Sequence, residues 1–107
     1  MSISTHVLDA TTGRPAAGMS VTLWRSTGDG WAQVVHARTD DDGRITDWPS
    51  RPGVHRIVFA TGPWWQDQGK EAFHPEVVVT FTVTDPDAHQ HVPLLASPFS
   101  YTTYRGS

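Results

Sequence analysis

Short runs of β-branched and aromatic residues alternate with turn-forming residues along the whole chain. In the segment MSVTLWRST, residues 19–27, the apolar side chains of Met19, Val21 and Leu23 alternate with polar ones. An apolar residue at every second position is typical of a strand with one buried face. Many such strands separated by turn signals predict an all-β sandwich or barrel.

The same pattern predicts eight strands. They cover residues 3–10, 19–27, 31–39, 45–48, 54–61, 76–83, 89–97 and 101–106. GDG at 28–30 predicts a hairpin between the second and third strands, and DDDGR at 40–44 predicts another turn. The segment GPWWQDQGKEAF, residues 62–73, lacks this rhythm, and Pro63 suits a first helical turn. We therefore expect one short helix there.

Length and composition narrow the possible classes of protein. A chain of 107 residues fits a single domain over residues 1–107. The net charge of -3 gives no general attraction to nucleic-acid phosphates, so no nucleic-acid partner is expected. No stretch approaches the roughly 20 apolar residues that cross a bilayer, and the segment MSISTHVLDA lacks the regions of a signal peptide. Because cysteine is absent, disulfides are excluded and a cytoplasmic location is expected.

The six histidines are the first candidates for chemistry, because neutral imidazole near pH 7 can act as base, acid or ligand. His89 and His91 are two residues apart in a predicted strand, so their rings point to the same face. His6 lies in the first predicted strand, and the same alternation places it on one face with Ser4 and Leu8. The other three histidines have no partner that the sequence identifies: His36, His55 and His74.

Several chemistries stay open at this point. A His-x-His pair with a third histidine would be adequate for zinc, although the spacing alone is weak evidence. Nucleophilic catalysis has little support, because the chain has no Gly-x-Ser-x-Gly elbow, no thiol and no phosphate-binding glycine loop. Arg44, in the turn DDDGR, either projects into water or lies beside a histidine. In the second case the guanidinium would keep the imidazole neutral and hold a planar oxyanion or imide, as in a hydrolytic site.

Four segments carry a resemblance to a known family: STHVLDATTGRPA, TDDDGRI, FHPEVVVTFTV and HVPLLASPFSYTTYRGS. Together they resemble the transthyretin-related 5-hydroxyisourate hydrolases over nearly the whole chain. The terminal Tyr-Arg-Gly-Ser is the most specific of these elements. The hormone-carrying transthyretins share the fold of these hydrolases but lack that tetrapeptide.

The resemblance implies an eight-stranded, two-sheet sandwich with one short helix. It implies hydrolysis of 5-hydroxyisourate in urate breakdown, with no metal or organic cofactor. It places catalytic residues at His6, Arg44 and His91, whereas the role of His89 is left open. It places the substrate-binding residues in the terminal tetrapeptide: Tyr104, Arg105, Gly106 and Ser107.

The resemblance also implies a homotetramer, a dimer of dimers whose sites lie at the dimer–dimer interface. On this expectation the chain ends at Ser107 because its end lines the site. The main alternative is a transthyretin-like protein that carries an apolar ligand, against which the polar side chains of His6, Arg44, His91 and Tyr104 argue. A structural immunoglobulin-like sandwich is a further alternative, and the absence of cysteine counts weakly against it.

Overall fold

The computed structural model describes residues 2–85 and 87–107, which form nine strands and one helix. The strands are β1 (Ser2–Asp9), β2 (Arg14–Pro15), β3 (Ser20–Ser26), β4 (Trp31–Arg38), β5 (Arg44–Pro49), β6 (Gly53–Phe59), β7 (Val77–Val83), β8 (Gln90–Ala96) and β9 (Tyr101–Thr103), and the helix α1 is Thr61–Asp67. Each of the eight predicted strands is present, and the last is shorter than expected. The additional strand is β2, which lies where only a turn was predicted.

The strands form two sheets. In the first sheet the order is β2-β1-β8-β9, and β5 also pairs with β1. The second sheet has the order β4-β3-β6-β7. Strands β1 and β8 run parallel, whereas the other pairs are antiparallel. The predicted hairpin between β3 and β4 is confirmed, and its turn is closed by the Thr27 amide, which donates to the Gly30 carbonyl at 2.9 Å.

The inward faces of the two sheets share one apolar core. Met19, Val21 and Leu23, which the alternation identified, are 1%, 0% and 0% exposed. Val21 and Leu23 pair across β3 and β6 with Phe59 and Ile57, both of which are fully buried. Removal of this apolar surface from water is the main favourable contribution to folding.

Strand β1 divides its residues between this core and the outer face of the first sheet. Ile3, Thr5 and Val7 are fully buried. Because successive side chains of a strand point to opposite faces, Ser4 and His6 lie on the outer face. The predicted parity of the first strand is therefore confirmed, and Ser4 and His6 are left outside the core.

The helix is shorter than the predicted segment 62–73, since it ends at Asp67. Gly69 has φ of 74°, and the amides of Gly69 and Lys70 donate to carbonyls of the last helical turn at 2.9 and 3.0 Å. This pattern is a Schellman ending, which glycine permits because it adopts positive φ without a steric penalty. In the part of the chain that the structure describes, no helix is long and apolar enough to cross a membrane.

His55 has partners that the sequence did not reveal. It lies on β6 and is 1% exposed, and its ring stacks on Phe81 with a centroid distance of 5.7 Å. Its Nδ1 lies 3.2 Å from the carbonyl oxygen of Gly53. Burial lowers the pKa of His55 below its ordinary value of 6.5, the Gly53 carbonyl opposes this change, and the charge of Arg25 adds to it.

We expect His55 to lower the stability of the folded protein in acid. Because the unfolded chain binds this proton more readily, the free energy of unfolding should be highest above pH 6.5 and fall as the pH drops toward the lowered pKa. Each unit of lowering corresponds to about 1.4 kcal/mol. Urea unfolding of the wild type and of His55→Gln at several pH values measures this contribution, and His36→Gln is the control because His36 is exposed. An identical pH dependence in the wild type and His55→Gln would contradict the prediction.

Candidate active site

The parallel pairing of β1 and β8 brings two of the predicted histidines together. Ser4 is the Cα partner of His91, and His6 is the Cα partner of Pro93. Directly paired residues of neighbouring strands point to the same face of a sheet. His6 and His91 therefore lie on the outer face of the first sheet, on neighbouring strands, and both are half-buried.

The turn DDDGR places Arg44 on the other side of His6. A carboxylate oxygen of Asp40 accepts a hydrogen bond from the Arg44 amide at 2.9 Å, and the Asp40 carbonyl accepts one from the Gly43 amide at 2.9 Å. The Val7 amide donates to the Gly43 carbonyl at 2.7 Å, which attaches the turn to β1. Arg44 then becomes the antiparallel cross-strand partner of His6. The Cβ atoms of such pairs lie about 5 Å apart, so the exposed Arg44 side chain extends from a point beside the His6 side chain.

The C-terminal segment is held against β8. The Thr103 hydroxyl donates to the Pro93 carbonyl at 2.8 Å, and the Gly106 amide donates to the His91 carbonyl at 2.8 Å. A Cβ atom on Gly106 would lie 2.5 Å from Cδ2 of His91. Because real Cβ contacts are longer than this, only glycine lets the tetrapeptide approach the imidazole so closely.

The two exposed residues before Gly106 lie at an edge of the sandwich. Tyr104 and Arg105, together with His91, line an open cavity that is also lined by Val79 and Phe81 of β7. His6 and Arg44 are not among its lining residues. In this chain the predicted site is therefore divided between the outer face of the first sheet and an adjoining edge cavity, with His91 at the junction. Ser107, the last predicted residue, is exposed and follows Gly106 directly.

A serine that was not among the predicted site residues joins His89 and His91. The hydroxyl oxygen of Ser4 lies 2.7 Å from Nδ1 of His91 and 2.8 Å from Nε2 of His89, and Ser4 is 4% exposed. The two rings are nearly parallel, with an interplanar angle of 17° and centroids 6.3 Å apart. The signal in the sequence was the shared face of Ser4 and His6, but nothing in it revealed which strand would lie alongside.

The surroundings of His91 favour its neutral imidazole. Burial lowers the pKa of His91 most, electrostatic interactions with His89, Arg44 and His6 lower it further, and a backbone hydrogen bond of Ser4 opposes the change. A neutral imidazole can accept a proton from water, and a nearby guanidinium can stabilise an oxyanion. Among the described residues, no group of three or more His, Cys, Asp or Glu side chains is placed to hold a metal ion.

These observations define a class of protein: a transthyretin-like two-sheet sandwich that carries imidazole and guanidinium groups on the outer face of one sheet. The model of the HIUase/Transthyretin family matches residues 3–106, and the chain belongs to this family.

Individual relatives include both branches of the family. A 5-hydroxyisourate hydrolase from Salmonella dublin is 42% identical over 98% of this chain and 80% of its own length. The structure of Klebsiella pneumoniae 5-hydroxyisourate hydrolase superposes with a TM-score of 0.89 at 33% identity, covering 100% of both chains. Sea bream transthyretin in complex with thyroxine superposes with a TM-score of 0.90 at 34% identity, covering 97% of this chain and 93% of its own. The backbone therefore fits a hydrolase and a hormone-binding protein equally well, and the side chains must distinguish them.

The pKa of His91 should respond to its neighbour on β5. In the wild type it should lie below the ordinary value of 6.5, and Arg44→Gln should raise it by removing a positive charge. The value should stay below 6.5 in the variant because burial and the remaining imidazoles still act. Titration of the histidine ring signals by NMR measures the change, and Arg38→Gln on β4 is the control. A His91 pKa unmoved by Arg44→Gln would contradict the prediction.

Proposed function

We propose that this protein is a cytoplasmic 5-hydroxyisourate hydrolase that acts in urate breakdown. The observation that carries the proposal is the strand register, which aligns His6 with Arg44 on one side and places His91 beside it on the other strand. The hydrolases from Salmonella and Klebsiella support the assignment, because their similarity extends over most or all of their length. The cysteine-free composition supports the cytoplasmic location.

The proposed reaction is attack of water on a carbonyl carbon of the substrate ring, followed by breakage of the ring C–N bond. His6 and His91 act as the acid–base pair. The lowered pKa of His91 favours it as the base that takes a proton from the attacking water. His6 then supplies the proton that the leaving nitrogen needs and takes up a proton from solvent in its place.

Arg44 is proposed to stabilise the negative charge that develops on the attacked oxygen. A guanidinium offers several donors in a fixed plane, which suits both an oxyanion and a planar imide edge. The residues of the terminal tetrapeptide are proposed to bind the substrate: Tyr104, Arg105, Gly106 and Ser107. The close contact between Gly106 and the His91 ring supports this, since it sets the tetrapeptide beside the proposed base.

The protein is further proposed to form a homotetramer, a dimer of dimers. In one chain the outer face with Arg44 is open to water, and a second copy over it would exclude that water from the site. Strand β9 lies at one edge of the first sheet and β7 at one edge of the second. Exposed strand edges pair readily with other chains. Phe73, His74 and Tyr101 form a contiguous group of ring contacts beside β9, with Phe73 73% exposed, which suits a dimer contact.

The alternative function is that of a small-ligand carrier without catalysis. The observation in support of this alternative is the match to sea bream transthyretin in complex with thyroxine. An apolar ligand would gain little on the outer face of the first sheet, because His6, Arg44 and His91 would lose hydration without gaining partners. The hydrolase is therefore the better supported function.

Replacement of the three proposed catalytic residues should reduce the rate without unfolding the protein. We expect His6→Ala, Arg44→Ala and His91→Ala each to lower kcat/KM by about 10² or more. Urate oxidase can generate 5-hydroxyisourate in the cuvette, and the decay of its ultraviolet absorbance reports hydrolysis above the spontaneous rate. His36→Ala on β4 is the control. Wild-type protein that does not accelerate the decay would refute the proposed function, and full activity of His91→Ala would refute the role of that residue.

The contact between Gly106 and His91 should matter to catalysis more than to folding. Gly106→Ala should lower the rate by about 10², because displacement of a reacting group by about 1 Å has effects of that size. Gly30→Ala is a matched control, since a Cβ there meets no atom within 4 Å. Truncation after Thr103 should abolish turnover and leave the circular dichroism spectrum unchanged. Equal rates for Gly106→Ala and Gly30→Ala, or full activity after truncation, would contradict this prediction.

A further inference from the structure

Four polar side chains form a continuous hydrogen-bonded chain on the outer face of the first sheet. The Ser2 hydroxyl lies 2.7 Å from Nδ1 of His89, and Nε2 of His89 lies 2.8 Å from the Ser4 hydroxyl. The Ser4 hydroxyl in turn lies 2.7 Å from Nδ1 of His91. His89 is exposed, whereas Ser4 is 4% exposed. The chain therefore leads from solvent to the ring of the proposed base.

The register of two strands produces this chain. Ser2 and Ser4 are two residues apart on β1, and His89 and His91 have the same spacing at β8, so each pair points to one face. The parallel pairing of Ser4 with His91 then sets the serines and histidines in alternating order. A shift of one residue in either strand would turn one pair into the core and separate them.

The hydrogen bonds between these four side chains can all donate in one direction or all in the other, which gives two polarities. A hydroxyl has one hydrogen, and a neutral imidazole has one N–H. The Ser4 hydroxyl can therefore donate to only one of its two partners, Nε2 of His89 or Nδ1 of His91, and must accept from the other. If Nδ1 of His91 donates to Ser4, then Ser4 donates to His89 and His89 donates to Ser2. This polarity leaves Nε2 of His91 without a hydrogen, as a base requires, and the reverse polarity protonates it.

We propose that Ser4 and His89 are positioning residues that select the tautomer of His91 and relay its proton to solvent. This inference rests on the proposed hydrolysis. As an O–H bond of the attacking water breaks, the water oxygen bonds to the carbonyl carbon and its proton goes to Nε2 of His91. The Nδ1 proton of His91 passes to Ser4, the proton of Ser4 passes to Nε2 of His89, and the Nδ1 proton of His89 passes to Ser2. Ser2 releases its own proton to water.

This relay suits the charges around the site. Each group in the chain gains one proton and loses one, so no imidazolium persists on His91. An imidazolium there would be disfavoured by burial and by the nearby positive charge of Arg44. The relay thus gives His91 a way to act as a base beside a guanidinium. The Ser4 hydrogen bond also holds the ring with its Cδ2 edge against Gly106.

The first test compares Ser4→Ala with Ser4→Thr. Loss of the hydroxyl should lower kcat about ten- to a hundredfold with little change in KM, the scale on which hydrogen-bond partners of a functional imidazole act. Threonine retains a hydroxyl and should restore most of the rate. Ser20→Ala is a matched control, because it removes a serine–histidine hydrogen bond to His36 in the second sheet. Wild-type kcat in Ser4→Ala, or equal loss in Ser4→Ala and Ser4→Thr, would overturn the role of Ser4.

A spectroscopic test does not depend on turnover. Nitrogen NMR of the His91 ring, at a pH where it is neutral, should show one dominant tautomer with Nδ1 protonated in the wild type and a mixture in Ser4→Ala. A change of tautomer without a change of fold is not expected from a purely structural serine. The same tautomer population in both proteins would overturn tautomer selection.

The relay itself is tested by the solvent isotope effect. In mixtures of light and heavy water, a plot of the wild-type rate against the deuterium fraction should be curved, because several protons move in the same step. His89→Gln retains hydrogen-bonding groups but does not relay a proton, so its dependence should become linear. A linear wild-type plot would overturn the relay. Absence of wild-type hydrolysis would overturn the proposed function and the relay together, whereas the tautomer measurement would still decide what Ser4 does to His91.

Discussion

The parallel pairing of β1 with β8 is the constraint on which the fold and the candidate site both depend. Its inner face places Val7 beside Leu94 in the core, and its outer face places Ser4 beside His91. A slip of one residue would exchange these faces, bury an imidazole and expose apolar surface. The hydrophobic core therefore enforces the register that assembles the polar face, so the stability of the sandwich and the geometry of the site have one origin.

Two backbone contacts complete the site around this pair. Gly43 has φ of 75°, and a Cβ there would lie 2.4 Å from the Val7 carbonyl oxygen, so glycine lets the turn before Arg44 attach closely to β1. Gly106 does the same for the C-terminal tetrapeptide at His91. Both contacts depend on a glycine, because a side chain at either position would collide with its neighbour. Function then depends on the side chains that the outer face displays.

The histidines show how one residue type takes different roles according to its surroundings. His55 is sealed in the core against Phe81 and contributes to packing, at the cost of stability in acid. His6 and His91 lie on the outer face, where Arg44 is the cross-strand partner of His6 and lowers the pKa of His91. His89 lies outermost and connects His91 to solvent through Ser4. Burial and hydrogen-bond partners, rather than residue type, separate these roles.

The sequence by itself determined the elements and their faces, because alternation within a strand is a local property: Val21 and Leu23 face inward, and the His89–His91 pair shares a face. The terminal tetrapeptide identified the family by resemblance. The helix ends at Asp67, earlier than predicted, because Gly69 forms an αL turn. Only the tertiary structure decided which strands lie together. Ser4 bridges His89 and His91 from more than 80 positions away, and a one-dimensional pattern contains no information on such long-range pairing.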